Sequence, residues 1–220
     1  MNHPGPMKSL NILGIGRNTV TVMDLAEDCG FAIKSLLHYN DDRTGEYYFG
    51  HEIKGSFQSL YERDSLEGEF FALSMGDLAI RERLYAMIVQ KGGTVPALVH
   101  PTCVISRRSE IGNGVQIMPG SIVQGDSRVG DNTVITVNSV IAHSASVGNN
   151  CLVSGNVMIG AYSCIGNNTH IGQGATVVSG KVKHVGSHCI LGAGSTLLDD
   201  MPDYSVYAGC PAKFLKNVSR

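Results

Sequence analysis

Residues 135–153 read ITVNSVIAHSASVGNNCLV, and every sixth residue of this segment is a branched aliphatic one. Neither the helical period nor strand alternation produces a period of six, so the spacing indicates a structural repeat. A small residue follows three positions later, as at Ser139 and Cys151. Two inward positions per hexad, with three hexads per turn, predict a triangular parallel β-helix of about 18 residues per turn. The phase holds at Ile105, Ile111, Ile117, Val123, Val129, Ile135, Ile141, Val147, Val153, Ile159, Ile165, Ile171 and Val177.

Glycine often follows the aliphatic position of a hexad, and its freedom of backbone angle predicts corners at these sites. They are Gly112, Gly130, Gly148, Gly160, Gly166, Gly172, Gly186 and Gly192. The phase slips by two residues between Val177 and Val185 and then resumes at Leu191. We therefore expect Lys181 to His184 to bulge out as a loop that can reach a neighbouring subunit.

The first 97 residues have a different pattern, in which strands and helices alternate. Strands are predicted at residues 10–13, 33–37 and 70–74, and helices at 20–29 and 78–90. This β-α-β order predicts a small α/β Rossmann-like domain over residues 1–97, followed by a left-handed parallel β-helix over 98–220. The handedness follows from the family resemblance below, because periodicity does not determine it. Gly14 and Gly16 lack the third glycine of a dinucleotide fingerprint, so this turn is either a ligand loop or tight strand-to-helix packing.

Composition excludes several functional classes. The formal net charge is -2, with acids and bases interspersed, which disfavours a nucleic-acid partner. No apolar run approaches the length of a membrane span, and Met1 to Lys8 lack the apolar stretch of a signal peptide, so we expect a cytoplasmic protein. The six cysteines form no CxxC pair, which favours reduced, mostly buried thiols over structural zinc or secreted disulfides.

Several motifs carry a resemblance over nearly the whole chain. It resembles the bacterial sugar acyltransferases that include sialic acid O-acetyltransferases, perosamine N-acetyltransferases and bacillosamine-pathway N-acetyltransferases. The resemblance implies a homotrimer, with acetyl-CoA between adjacent β-helices, a nucleotide-linked sugar on the small domain, and no metal. The motifs are Gly14-Ile-Gly16, Asn40-Asp41, Leu73-Ser-Met-Gly76-Asp77 with Arg81, Val99-His100-Pro101, Asn138-Ser-Val-Ile-Ala-His143 and Val206-Tyr-Ala-Gly-Cys-Pro211-Ala-Lys213.

The resemblance also implies that His143 is the general base, which removes a proton from the sugar amine or hydroxyl as it attacks the thioester. Imidazole suits this role because it accepts a proton near neutral pH. The six-residue register places His143 on an outward corner; an ordinary exposed turn histidine is the alternative. Related enzymes usually have an acidic residue next, where this chain has Ser144. A hydroxyl orients imidazole without stabilising its cation as a carboxylate does, so the enzyme is slower or another carboxylate serves.

Binding residues follow from the same resemblance. Arg17 and Asn18 replace a Gly-His pair of the family, and Arg17 near a helix N-terminus can pair with a nucleotide phosphate. Leu152 replaces a histidine that contacts coenzyme A in some members, Gln173 and Ala193 align with the cofactor groove, and Lys213 can meet a coenzyme phosphate. The predicted substrate-binding residues are Gly16, Arg17, Asn18, Asn40, Asp41 and Gly76.

The leading functional prediction is acetyl-CoA-dependent N-acetylation of a nucleotide-linked amino sugar for surface glycan or glycoprotein synthesis. Acetylation of a sugar hydroxyl, as in sialic acid O-acetyltransferases, is an alternative, because the same base serves both acceptors. A non-catalytic trimeric scaffold that binds a nucleotide sugar is another, and Ser144 favours it. A β-helix carbonic anhydrase would require His170, His184 and His188 to converge on zinc, which their mixed hexad positions disfavour.

Overall fold

The computed structural model of the chain describes residues 8–218. Contacts between Cα atoms divide the chain into two compact units, Met1–Leu98 and Val99–Arg220. The predicted boundary between residues 97 and 98 lies one residue before this division. The signal-peptide prediction concerns Met1 to Lys8, of which only Lys8 is among the described residues. Within the described residues, every helix is too short or too polar to cross a membrane.

The first unit is an α/β domain, as predicted. Its sheet has the strand order β3-β4-β2-β1-β5, in which β4, β2, β1 and β5 are parallel and β3 is antiparallel to β4. Residues 10, 12 and 13 of β1 are fully buried, which explains its apolar sequence. The elements are β1 (Ser9–Leu13), α1 (Thr19–Asp28), β2 (Ala32–His38), β3 (Tyr47–Tyr48), β4 (His51–Ser56), α2 (Ser59–Glu62), β5 (Phe70–Leu73) and α3 (Leu78–Gln90).

Strand β4 is the element that the sequence pattern missed. Its buried residues are Ile53, Gly55 and Ser56, so a single large apolar side chain marks it. Periodicity methods depend on repeated apolar residues, and β4 offers too few of them. The stretch after Asn40 therefore contains a further parallel strand of the sheet.

The second unit is a coil of two-residue strands. Their bounds are β6 (Leu98–Val99), β7 (Val104–Ile105), β8 (Glu110–Ile111), β9 (Gln116–Ile117), β10 (Ile122–Val123), β11 (Arg128–Val129), β12 (Val134–Ile135), β13 (Val140–Ile141), β14 (Ser146–Val147), β15 (Leu152–Val153), β16 (Met158–Ile159), β17 (Cys164–Ile165), β18 (His170–Ile171), β19 (Thr176–Val177), β20 (His184–Val185), β21 (Ile190–Leu191) and β22 (Thr196–Leu197). A hairpin of β23 (Ser205–Gly209) and β24 (Ala212–Asn217) ends the coil.

These strands form three parallel faces, which confirms the predicted β-helix of hexapeptide repeats. The first face has the order β24-β23-β21-β18-β15-β12-β9-β6, the second β22-β19-β16-β13-β10-β7, and the third β20-β17-β14-β11-β8. The second face has six strands, one per turn, so the coil makes about six turns. Strands pair with those 18 residues away, as Val134 does with Leu152.

Inward positions fill the prism as the hexad register predicts. From Ile117 to Val177 the aliphatic position of each hexad is at most 2% exposed. The small positions are also buried, and their hydroxyls donate to backbone carbonyls, as Thr133 Oγ1 does to the Gly148 oxygen at 2.7 Å. A hydroxyl inside the coil is thus satisfied without water.

The glycines that follow the aliphatic positions have a different role from the predicted one. None of the eight has a positive φ. A Cβ on Gly130 would lie 2.7 Å from the carbonyl carbon of Gly148 and 2.8 Å from the nitrogen of Asn149, on the next turn of the coil. Glycine is needed there because adjacent turns approach too closely for a side chain.

The predicted loop at Lys181 to His184 is also wrong in its extent. His184 begins strand β20 and pairs with Cys164, while Val182 is 1% exposed and packs into the interior. The Val182 side chain adds apolar contact inside the prism, so the two-residue insertion is folded into the coil. Lys181 and Lys183 are the exposed residues of this turn.

The cysteines are less buried than predicted. Cys151 and Cys189 fill inward positions, and burial raises the pKa of Cys151 to about 11, which keeps it a thiol. Cys29 and Cys103 are half-buried, and Cys164 and Cys210 are exposed. All six are unpaired in disulfides, in agreement with the absence of a CxxC spacing.

We expect Gly130→Ala to lower the free energy of unfolding by about 3 kcal/mol or more, because its Cβ would overlap the backbone of the next turn. Gly174→Ala is the matched control: Gly174 has a φ of +69° and open space around a Cβ, so it should lose only about 1 kcal/mol. Denaturant unfolding measures both. Equal losses at the two sites would contradict the close-approach explanation.

Candidate functional site

The predicted substrate-binding residues of the first unit lie at one edge of its sheet. Gly16, Arg17 and Asn18 follow β1, Asn40 and Asp41 follow β2, and Gly76 follows β5. Because β2, β1 and β5 are parallel neighbours, their carboxyl ends are adjacent. Ligands of open α/β sheets bind outside such ends.

A buried polar cluster fixes the first loop of this edge. Thr19 Oγ1 accepts a hydrogen bond from the Gly16 nitrogen at 2.8 Å and lies 3.1 Å from Ser74 Oγ. Ser74 Oγ in turn donates to the Gly14 oxygen. The cluster ties the end of β1 to the end of β5, so the turn after β1 is held in one conformation.

The surface in front of this cluster is open. A Cβ on Gly16 or Gly76 would meet no atom within 4 Å. Arg17 and Asn18 are exposed, and Asn18 is the N-cap of α1 without a capping hydrogen bond from its side chain. The N-terminus of α1 has no acidic residue in its first turn. An anion is therefore electrostatically favoured here.

The residues after β2 are partly structural. Asp41 Oδ1 accepts a hydrogen bond from the Ser56 nitrogen at 2.8 Å, so this carboxylate holds the end of β4. Asn40 Oδ1 lies 2.7 Å from Nδ1 of the buried His38. Both residues are at the predicted edge, and their side chains already have protein partners.

Arg81 lies beneath this edge and is 1% exposed. Its Nη1 donates to the Leu73 oxygen at 2.6 Å, at the end of β5. Burial lowers the pKa of Arg81 to about 9, so the guanidinium remains protonated at neutral pH. A positive charge under the turn that follows β5 adds to the attraction for an anionic ligand.

His143 lies in the β-helix at the corner between its second and third faces, which we name the His143 corner (residues 125–126, 143–144 and 161–162). The side chain is exposed, as the register predicts. Its neighbours one turn away in the same column are Gly125 and Ala161. These small residues leave room around the imidazole.

The corresponding column at the corner between the third and first faces is built differently. There Asp131 Oδ1 accepts from the Asn113 nitrogen at 2.8 Å, and Asn149 Oδ1 accepts from the Asp131 nitrogen at 2.8 Å, in a ladder of side chains. Ala161 has no oxygen to continue such a ladder, so the His143 nitrogen donates to Gln124 Oε1 at 2.9 Å. The His143 corner has lost the regular stabilising pattern of the coil.

Left-handed backbone angles give a second distinction between corners. Each corner has one residue per turn at a φ near +60°, where Gly and Asn are least strained. The corner between the first and second faces has only such residues, namely Gly120, Asn138, Asn156, Gly174 and Gly194. The His143 corner has Asp126 at +60°, Ser144 at +57° and Tyr162 at +65°.

Strained side chains that the fold does not require indicate function. Tyr162 contacts His143 edge-on, with ring centroids 5.1 Å apart. Ser144 Oγ donates to Asp126 Oδ2 at 2.8 Å. The other aromatic exceptions, His188 and Tyr204, stack on each other at 4.7 Å near the end of the coil. The three strained residues thus surround His143 with polar and aromatic groups.

The predicted cofactor residues lie elsewhere on the β-helix. Gln173 and Ala193 are exposed at the corner between the first and second faces, and the Gly194 nitrogen donates to the Gln173 oxygen on the turn below. Leu152 is half-buried on the first face between Val134 and His170, and Lys213 is exposed on β24. The second face separates the Gln173 corner from His143, so one protomer does not bring these residues together.

The histidines of the carbonic anhydrase alternative do not converge. His170 is on the first face and His184 on the third, while His188 stacks on Tyr204. His170 Nε2 lies 3.0 Å from Ser154 Oγ, and burial lowers its pKa. Among residues 8–218, no group of three His, Cys, Asp or Glu side chains is placed to hold a metal ion.

Sequence reasoning missed several residues of these two surfaces. Thr19, Gln124, Asp126 and Tyr162 contact predicted residues without being singled out. For Asp126 and Tyr162 a signal was available, because the positions 18 residues before and after Ser144 lie on adjacent turns. Comparing each corner column along the chain would have shown Asp, Ser and Tyr where other columns have Asn and Gly.

Residues 108–143 match the family model for the bacterial transferase hexapeptide of six repeats. His143 is the last residue of this match. No curated protein sequence matches the chain. The β-helix is therefore a hexapeptide transferase domain.

Solved structures match nearly the whole chain. The acetyltransferase domain of PglB from Neisseria gonorrhoeae FA1090 is 27% identical with a TM-score of 0.85, over 94% of this chain and 100% of that one. A histidine-to-asparagine mutant of perosamine N-acetyltransferase from Caulobacter crescentus, in complex with CoA and GDP-perosamine, is 24% identical with a TM-score of 0.87, over 96% and 99%. WeeI from Acinetobacter baumannii AYE is 18% identical with a TM-score of 0.81, over 94% and 100%.

We expect Tyr162→Asn to raise the free energy of unfolding by about 1 kcal/mol, because asparagine relieves the left-handed strain. Asn156→Tyr places a tyrosine at a φ of +58° on another corner and should lower it by a similar amount. Thermal or denaturant unfolding gives both values. A clear loss of stability in Tyr162→Asn would show that the fold itself requires the tyrosine.

Proposed function

We propose that this hexapeptide acyltransferase transfers an acetyl group from acetyl-CoA to the amino group of a nucleotide-linked amino sugar, with His143 as the general base. The reaction would serve surface glycan or glycoprotein synthesis. The observation that carries the proposal is the His143 corner, where strained Ser144 and Tyr162 surround an exposed histidine between two small residues.

The edge of the first unit supports a nucleotide-linked acceptor. It combines the exposed Arg17, the uncapped N-terminus of α1 and the open surface over Gly16 and Gly76. Such an arrangement of backbone N–H groups and a guanidinium favours a diphosphate. The Caulobacter structure, which covers nearly the whole chain, contains GDP-perosamine and CoA.

The chemistry requires one proton acceptor close to two bound substrates. The neutral sugar amine attacks the thioester carbonyl carbon, and the imidazole of His143 takes the proton that the nitrogen loses. The tetrahedral intermediate then collapses with cleavage of the C–S bond, and the imidazolium returns the proton to the departing thiolate. Positioning of both substrates supplies much of the rate, and general base catalysis adds about a hundredfold or more.

The acetyl-CoA site in this proposal lies between protomers of a homotrimer. His143 and the residues Gln173 and Ala193 occupy opposite edges of the second face. A compact site that contains both edges therefore needs a second copy of the chain. Leu152 and Lys213 would contribute to the same groove.

The direct test measures release of the coenzyme A thiol from acetyl-CoA with a panel of amino-sugar nucleotides. We expect turnover with at least one acceptor, and a loss of kcat of about a hundredfold or more in His143→Ala. His188→Ala is a control, because His188 is a histidine at a different corner. Undiminished turnover in His143→Ala would contradict the assigned base, and no turnover with any acceptor would favour the scaffold.

Arg17 tests the acceptor site separately. We expect Arg17→Ala to raise the KM of the nucleotide sugar about tenfold and to leave the KM of acetyl-CoA unchanged, since only the phosphate pairing is lost. Lys34→Ala removes another exposed cation of the same unit, on β2, and should change neither constant. An unchanged nucleotide-sugar KM in Arg17→Ala would place the acceptor elsewhere.

A further inference from the structure

We propose that Asp126 is a positioning residue for His143, to which its carboxylate is coupled through the hydroxyl of Ser144. The inference rests on the proposed function, because it assigns a partner to the same base. It names a carboxylate that stands one turn of the coil away from the histidine, where reading along the chain does not reveal it.

The hydrogen bond between Asp126 and Ser144 has only one possible direction. A carboxylate accepts and does not donate, so Ser144 Oγ must direct its hydrogen to Asp126 Oδ2 at 2.8 Å. The lone pairs of the hydroxyl oxygen are then free to accept an N–H from a neighbouring group. A hydroxyl that donates to an anion is also a stronger acceptor. Ser144 follows His143 directly and is the nearest hydroxyl along the chain.

The backbone holds this pair in place at a cost in strain. Both residues have left-handed angles, at +60° and +57°. Asp126 is the acidic residue among the described non-glycine residues with such angles, and asparagine occupies most of the others. Asparagine satisfies the same turn without a charge, so the turn itself does not require a carboxylate.

The charge of Asp126 remains available to the histidine. Arg128, the nearest base in the sequence, pairs with Glu110 at 3.1 Å on the third face. Within the described residues, no lysine or arginine forms an ion pair with Asp126. Adjacent turns of the coil are about 4.8 Å apart, so a carboxylate one turn below can stabilise an imidazolium that forms at residue 143.

The imidazole is held from its other sides by uncharged groups. Gln124 accepts the His143 backbone N–H, and the Tyr162 ring packs edge-on against the imidazole. Gly125 and Ala161 offer no polar side chain. Asp126 is thus the one anionic group that the described contacts bring to this corner, and Ser144 is its link to the base.

The test compares steady-state kinetics of wild type, Asp126→Asn and the double variant Asp126→Asn/Ser144→Asp, with the best acceptor of the panel. We expect Asp126→Asn to lower kcat about ten- to a hundredfold, with both KM values within about twofold, because the substrates still bind. The double variant returns a carboxylate next to His143 and should recover most of the lost kcat. Aspartate is tolerated at the left-handed angle of residue 144, as it is at residue 126.

Asp131→Asn is the matched control, since it removes one aspartate from another corner of the same coil and should keep the wild-type kcat. Equal unfolding midpoints of Asp126→Asn and wild type would show that the coil is intact. Wild-type kcat in Asp126→Asn, beside an inactive His143→Ala, would overturn this inference and leave the proposed function standing. A kcat loss that the double variant does not recover would also overturn it. Full activity of His143→Ala would overturn the proposed function, and the inference with it.

Discussion

Hydrogen bonding between successive turns of the β-helix determines the rest of the second unit. Each strand bonds to the strand 18 residues away, as the Gly130 nitrogen does to the Val147 oxygen at 2.8 Å. Parallel pairing in unchanged register places equivalent side chains directly above one another. Large and small residues therefore form inward columns, and corner residues form outward columns. A residue's chemistry depends on its column neighbours as much as on its sequence neighbours.

Column order also explains how an active corner can be recognised. Two corners use residues that suit the backbone, with Gly and Asn at most left-handed positions and a side-chain ladder in the column of Asp131 and Asn149. The His143 corner departs from both patterns at once. Its left-handed positions carry Asp126, Ser144 and Tyr162, and its ladder is interrupted by Ala161. Coils tolerate such departures because the neighbouring turns remain paired on all three faces.

Much of this fold was predictable from sequence, because a strict period leaves few alternatives. The inward residues, the outward position of His143 and the bounds of α3 follow from apolar spacing. Strand β4 was missed because Ile53 is its only large buried apolar residue. The glycine column was explained wrongly, since the spacing shows where a Cβ is excluded and not whether backbone angle or close approach excludes it. Val182 was placed in a loop because a two-residue insertion hides its inward direction.

The candidate site was less predictable than the fold. His143 and Ser144 are adjacent in sequence, but the partner of Ser144 lies 18 residues earlier and is found only once the turns are stacked. Arg17, Gly16 and Gly76 were placed at one edge by the parallel sheet, whereas the structural role of Asp41 depends on β4, which the pattern missed. Long-range partners of this kind require the register of the coil or the order of the sheet.

The central claim is that His143 receives the proton of the acceptor amine. A crystal structure of the assembled protein with coenzyme A and the best nucleotide-sugar acceptor tests it most directly. We predict that the acceptor nitrogen lies within about 3.2 Å of an imidazole nitrogen of His143, or one water away from it. An acceptor nitrogen bound at another corner of the β-helix, beyond the reach of His143, would contradict the account.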